Sequence, residues 1–312
     1  MSALPSAINY QEGLAVLPEN TQNFNISCVP ISGSTFRDSA QIQVDLGNRG
    51  FLDPASLLIR YKMTYSVADT VTARVVGTPV YTPFLRFETL VNSNTVETIN
   101  GYNTVCNMLT NLQLGVSDKY GQQSAFGYEN VDVSPLYSME NLDGAVMVLG
   151  GTTITRFYSA PLIGLLSGSE KLIPLFLLNN IRLQFTTDTL ANIQSNITAE
   201  AGKITAFEIS NFEVCYNMVD FGRDVEREII AMNPKIRIKS QSYSTGSQPV
   251  AANTAGTVNL VYNQRYASVK SAYLSCGGYA ATGTCANKMM DAFDVTSGNG
   301  DYCFQIGSIN YP

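Results

Sequence analysis

At 312 residues the chain can hold one large or two medium domains, with ample core for either. Only 14% of its residues are charged, against roughly a quarter in an average soluble domain, while apolar residues reach an ordinary 45%, so much of the polar remainder is Asn, Gln, Ser, Thr and Gly. A net charge of −6, with no basic residue before Arg37, argues against direct sequence-specific nucleic-acid binding, and the lack of any histidine removes Ser-His-Asp and Cys-His catalysis and His-based metal sites.

Residues 1–20 form an N-terminal arm with spaced Leu4, Ile8, Leu14 and Leu17 and with Pro5 and Pro18; it is either docked on a surface or disordered. The opening MSALPSAINYQ has no basic stretch followed by a continuous apolar core, so no secretory signal is expected there. Six scattered cysteines, at 28, 106, 215, 276, 285 and 303, then suggest reduced thiols and synthesis inside a cell.

From Phe24 the pattern has a period of two. Phe24, Ile26 and Cys28 alternate, as do Ile42, Val44 and Leu46. The cleanest strand is predicted over 59–67, with Ile59, Tyr61, Met63, Tyr65 and Val67 on one face and Arg60, Lys62, Thr64 and Ser66 on the other. Val71 to Val76 follows. A strand beginning at Phe84 should place Phe84, Arg86 and Glu88 against Leu85, Phe87 and Thr89, turn at Asn92 to Asn94, and resume at Val96. The period then changes: Tyr102, Val105, Met108 and Leu112 fall on one side of a helix, with Asn100 as its N-cap, inside an insertion of about 100–125. The loop after it, SDKYGQQSAFGY, would be free to reach a neighbouring subunit.

Strands are expected again over Thr152 to Ser159, over Ile181, Leu183 and Phe185, and over Ile204 to Val219 with a bulge at Ser210-Asn211. A short helix follows, capped by Asp224, lined by Val225, Ile229 and Met232, and ended by Pro234. Strand patterning restarts with Ile236 and Ile238, then Val258 to Tyr262, then Val269 and Tyr273, before a Gly-rich stretch and a strand-like YCFQIGSINYP. The whole is an all-β chain built from two sandwich-type domains in tandem, with a helical insertion and a linker helix.

Chemistry-bearing residues fit a structural role. Lys235, Arg237 and Lys239 alternate along a strand, the pattern of a solvated face. Cys276, Cys285 and Cys303 lack metal-site spacing, and DVTSGNGD, with Asp294, Asn299 and Asp301, lacks the closing glutamate of a calcium loop. Nothing places Glu88 and Glu97 across a cleft as a glycosidase pair, and GGTT at Gly150 has no phosphate-loop lysine. No catalytic, cofactor-binding or metal residue is assigned, no cofactor is expected, and the chain is not expected to be an enzyme. A rival reading is a carbohydrate-binding or adhesin sandwich using an aromatic face such as Tyr61 and Tyr65.

Three stretches carry a family resemblance. Val96, Glu97, Ile99, Tyr102, Asn103 and Leu109 fit a V-E-x-I-x-x-Y-N-x-x-x-x-x-L pattern. Pro161-Leu162, Gly164-Leu165-Leu166, Pro174-Leu175 and Ile181-Arg182-Leu183 fit a second, and ISNFEVCYNMVDFGRDVEREI fits a strand running into a linker helix. Over about residues 20–275 the chain resembles the double jelly-roll major capsid proteins of icosahedral DNA viruses, the group of adenovirus hexon, virophage and Polinton-like proteins. The resemblance implies a first jelly roll over 21–222, a linker helix over 223–234 and a second jelly roll from 235. Only 78 residues remain from Lys235 to Pro312, fewer than the ~100 of a full sandwich, so the second jelly roll is expected to be partial within 235–312. It also implies homotrimers forming pseudo-hexameric capsomers that tile an icosahedral virion shell. Neighbouring capsomers and minor capsid or penton proteins would be partners, and an internal membrane beneath the shell stays open.

Overall fold

The computed structural model describes residues 21–67, 73–75, 78–114, 123–127, 145–147, 153–193, 204–232, 238–246, 261, 268–273, 276–278, 288–291, 304–306 and 309–311. Eight longer strands make two facing sheets: β1 (Gln22–Cys28), β2 (Gln41–Asp45), β3 (Leu58–Val67), β4 (Phe84–Val91), β5 (Asn94–Asn100), β6 (Thr153–Pro161), β7 (Ile181–Thr187) and β8 (Ile204–Asp220). One sheet runs β1-β8-β3-β6 and the other β2-β7-β4-β5, all antiparallel. Short strands Thr35–Phe36 and Phe51–Leu52 extend the first sheet along β8, and Ile173–Pro174 pairs with Phe51–Leu52. Strands one and eight, three and six, two and seven, four and five are therefore neighbours. That order is a jelly roll, two interlocked Greek keys closed by pairing the first strand with the last.

The alternation expected of β3 holds: Ile59, Tyr61, Met63 and Tyr65 are buried. Ile181, Leu183 and Phe185 of β7 face them from the other sheet, as expected. β8 changes face where the sequence suggested, because its pairing with β3 slips between Ser210 and Glu213 and Asn211 takes a left-handed φ of 50°. The extra residue lets Phe207 and Ile209 before it, and Phe212, Val214 and Tyr216 after it, all point inward.

β4 departs from simple alternation. Phe84 pairs with Thr187 while Arg86 pairs with Thr186, so a bulge at Leu85 turns Phe84 and Phe87 to the same side. Both rings are buried. The turn between β4 and β5 is two residues, Asn92 and Ser93, both at positive φ (50° and 64°), joining the pair Val91 and Asn94. This tight left-handed turn matches the twist of the strands it connects.

The insertion helix, α1 (Tyr102–Gln113), follows β5 almost directly, and it corrects the sequence reading twice. Its N-cap is Gly101, with φ 61° and no side-chain cap, rather than Asn100. The buried apolar face is Tyr102, Val105, Cys106 and Leu109; Met108 is half-buried and Leu112 is 61% exposed. The loop end at Gln123–Phe126 is a short helix whose Phe126 is buried and whose carbonyl accepts the Val80 N–H (3.2 Å), so this end docks on the sandwich instead of reaching away. No described helix is long and apolar enough to cross a membrane.

Beyond β8, α2 (Arg223–Met232) forms where the sequence placed a short helix, with Val225 and Ile229 half-buried. Asp224 lies inside its first turn rather than capping it, and Gly222 accepts the Glu226 N–H. Pro234 and Ile236 lie outside the described residues. Residues 238–246 and 268–273 belong to no strand, and Val269 and Tyr273 are exposed, so the expected strands at Ile238 and at Val269–Tyr273 are absent. Cys276–Gly278 pairs with Lys288–Asp291, and Phe304–Ile306 with Ile309–Tyr311. The N-terminal arm lies outside the described residues.

Phe185 is the hub of the sandwich core. Its ring lies 4.9 Å from that of Phe87 and 5.3 Å from those of Phe84 and Phe212, which brings both sheets together, and 6.3 Å from Tyr102 of α1. Phe185→Ala should destabilise the fold by about 3–5 kcal/mol through the lost burial and the cavity left behind. Equilibrium denaturant unfolding with unchanged m-value checks this.

Candidate functional site

The most constructed part of the molecule is one end of the sandwich, where β5, α1 and the loop from Leu162 to Gly168 meet. β5 pairs with β4 such that Glu97 stands beside Thr89 on the inner face and Thr98 beside Glu88 on the outer. Glu97 is only 5% exposed. Its Oε2 accepts hydrogen bonds from the Thr89 hydroxyl (3.0 Å) and the Leu165 N–H (2.9 Å), and its Oε1 accepts from the Ser242 hydroxyl (2.5 Å). Among the described residues no Lys or Arg forms an ion pair with it. Burial pushes the carboxyl above its ordinary range, and the hydrogen bonds from Ser242, Leu165 and Thr89 offset only part of that.

The loop can lie this close because residue 164 is glycine. A Cβ there would stand 2.8 Å from a Phe87 ring carbon and 3.1 Å from Glu97 Oε2. The next anchor is Tyr102, fully buried, whose hydroxyl accepts the Ile163 N–H (3.1 Å). Two loop positions, Ile163 and Leu165, are thus bound by two residues of the β5–α1 stretch. A cavity of ≈ 240 Å³ opens beside the loop, between Pro54, Leu57, Gln113, Ile163 and Tyr243.

The polar side of α1 is buried as well. Asn103 Nδ2 donates to Asp188 Oδ2 (2.9 Å), and the other oxygen of Asp188 accepts from Asn192 Nδ2 (2.8 Å) and the Thr189 N–H (2.7 Å). One turn on, Asn107 accepts from the Thr78 hydroxyl (2.9 Å). Asn103, Asn107, Thr110 and Asp188 are all buried. Each amide satisfies a group that would otherwise be stranded in the core. The sequence signal for this was the i, i+4 spacing of Asn103 and Asn107, which an apolar-stripe reading passes over.

The residues weighed for chemistry do not converge. Glu88 faces outward and is held by Arg86 (2.6 Å), Gln184 (3.0 Å) and Thr98 (3.3 Å), on the opposite side of the sheet from Glu97. The two carboxylates do not oppose each other across a cleft. Tyr61 and Tyr65 lie in the core, ringed by Phe84, Tyr158 and Phe212, so neither offers an aromatic platform. Cys28, Cys106 and Cys215 are unbridged thiols. No group of three or more His, Cys, Asp or Glu among the described residues could hold a metal. Lys235, Arg237, Cys285, Cys303 and the stretch from Asp294 to Asp301 lie outside the described residues; Lys239 is exposed.

An eight-stranded jelly roll with its first and last strands paired defines the class of the fold. The solved structures similar to this chain are viral major capsid proteins: the PBCV-1 virus capsid (12% identity, TM-score 0.47, 69% of this chain and 46% of that one), the Faustovirus major capsid protein (10%, 0.45, 73% and 60%) and the mavirus major capsid protein (11%, 0.32, 70% and 51%). The chain spans about half the length of these structures. No family model and no curated protein matches it.

The helix face found here separates two substitutions that the spacing alone treats alike. Val105→Asp buries a carboxylate without a partner and should cost several kcal/mol or abolish folding. Leu112→Asp, on the exposed side, should leave stability within about 0.5 kcal/mol of the parent. Thermal unfolding followed by circular dichroism distinguishes them.

Proposed function

We propose that the chain is a viral structural protein, a major capsid protein whose copies associate into trimeric, pseudo-hexameric capsomers that tile an icosahedral shell. The observation that carries this reading is the contact between two of the stretches behind the family resemblance. Glu97 binds the Leu165 N–H and Tyr102 binds the Ile163 N–H, so VETINGYN and PLIGLL close one end of a jelly roll as a single piece. The third stretch, ISNFEVCYNMVDFGRDVEREI, is the closing strand β8 running into α2. Residues 21–222 would be the first jelly roll, 223–234 the linker helix, and the chain from Lys235 the start of a second.

The surface chemistry supports the same role. Subunits packed side by side bury much of their exterior, and burying a charge costs far more than burying an amide or hydroxyl that finds a partner. A chain with 14% charged residues carries little of that penalty. On the outer face of β2, β7 and β4 the polar side chains are already tied down within the subunit: Gln43 donates to Gln184 (3.2 Å), Gln184 donates to Glu88 (3.0 Å), and Glu88 and Asp45 are paired with Arg86 and Arg182. The partners would be other copies of the chain, then neighbouring capsomers and minor capsid or penton proteins, and the site of action the virion. The role would be mechanical, not enzymatic.

Size-exclusion chromatography with negative-stain electron microscopy tests the assembly. Trimers of hexagonal outline are the expected result. A stable monomer that binds glycans overturns the reading in favour of a carbohydrate-binding sandwich.

A further inference from the structure

The chain leaves the first sandwich through α2 and then comes back to it. Residues 238–246 lie against the end built by β5, α1 and the Leu162–Gly168 loop, yet belong to no strand. Three hydroxyls hold them. Ser240 donates to the Leu165 carbonyl, Ser242 to Glu97 Oε1 (2.5 Å) and Thr245 to the Asn100 carbonyl. Gly168 makes room for the crossing, since a Cβ there would stand 2.8 Å from the Gln241 carbonyl. Tyr243 packs against the edge of the core, and Lys270 Nζ reaches Gln241 Oε1 (3.1 Å) from the far side. Of the three acceptors, two are backbone carbonyls and one is the side chain of Glu97.

We propose that Glu97 is the positioning residue of a clasp that fastens residues 238–246 to the first sandwich, and that the clasp tightens when Glu97 takes up a proton. The proposal does not rest on the shell reading. With the clasp closed, the chain beyond the linker helix starts from a fixed point on the sandwich rather than from a free tether. The proton, taken from solvent, adds to Oε1 and is donated to the Ser242 hydroxyl, which turns to accept it. Oε2 continues to accept from Thr89 and Leu165, so no contact is lost and the cost of a buried charge is removed.

The sign follows from burial. Desolvation is the largest influence on Glu97; it outweighs the hydrogen bonds from Ser242, Leu165 and Thr89, which favour the ionised form, and so raises the proton affinity in the clasped state above the ordinary 4.5. Clasping is therefore most favourable below that ordinary value and weakens as pH rises through the raised one. Other titratable or charged groups surround the clasp on every side. Cys106 and Tyr102 on α1 and Tyr243 on the stretch itself are pushed further up by burial. Lys239, Lys171 and Lys270 are exposed ammonium groups. Tyr273 is an exposed phenol, and Glu170 is an exposed carboxylate on the outside of the loop. Glu88, though on the neighbouring strand, faces the other way. The chain has no histidine to add a response near neutrality.

Hydrogen-exchange protection factors for residues 238–246 in the full chain, corrected for intrinsic exchange, test this. Protection in the parent should drop by about three- to ten-fold from about pH 5 to about pH 8. Glu97→Gln, close in shape to the protonated carboxyl and without a titrating group, should keep the protection the parent shows near pH 5 and hold it without variation up to about pH 8, while the β3 and β8 amides keep theirs. Ser242→Ala should lower protection in the stretch alone, and it decides the matter if Glu97→Gln fails to fold. An unchanged pH profile in Glu97→Gln, or parental protection in Ser242→Ala, overturns the proposal.

Discussion

The ring of Phe185 holds the domain together. From the middle of β7 it touches Phe84 and Phe87 on the neighbouring strand, Phe212 on the facing sheet and Tyr102 on the insertion helix. Two local irregularities exist to let those rings meet. The bulge at Leu85 turns Phe84 inward alongside Phe87, and the bulge after Ser210 brings Phe212 inward after Ile209. A sandwich core of strictly alternating strands would present only one of each pair. The aromatic cluster therefore dictates where the sheets bend, and the bends dictate how α1 approaches.

Once α1 is seated by Tyr102, the end of the sandwich is organised around polar groups rather than apolar ones. Asn103 and Asn107 reach Asp188 and Thr78, and Glu97 gathers donors from a strand, a loop and the returning chain. Unpaired, any one of these groups would cost about 1–3 kcal/mol, and an unpaired charge more. Paired, they specify one docking geometry for the helix and one path for the loop, a discrimination that a greasy contact of the same area lacks.

The contrast between strand and helix explains what the amino-acid order reveals. β3 and β7 are legible because each lies between other strands with one apolar face, so burial and period two coincide. The bulge in β8 is legible because two apolar runs are out of phase across Ser210-Asn211. The face of α1 is not, because Asn103, Asn107 and Thr110 are buried beside its apolar side chains, while Leu112 at the right spacing is exposed. Its cap is misplaced for a related reason: Gly101 starts the helix by backbone conformation, which leaves no side-chain signature. Residues 238–246 form no strand; their hydrogen bonds go to the Glu97 side chain and to the carbonyls of Leu165 and Asn100, and these depend on where distant segments come to rest.

The pairing of β1 with β8 has a mechanical side. Gln22 is opposite Asp220, and the register runs from there to Cys28 opposite Val214, so the chain enters and leaves the sandwich at adjacent points. Tension applied through those two points peels the β1–β8 ladder open one rung at a time, the weak direction of a sheet. Compression across the two sheets, by contrast, loads them face to face through a close-packed aromatic core that yields little. The domain is thus stiff against being squeezed and easily unzipped from one corner.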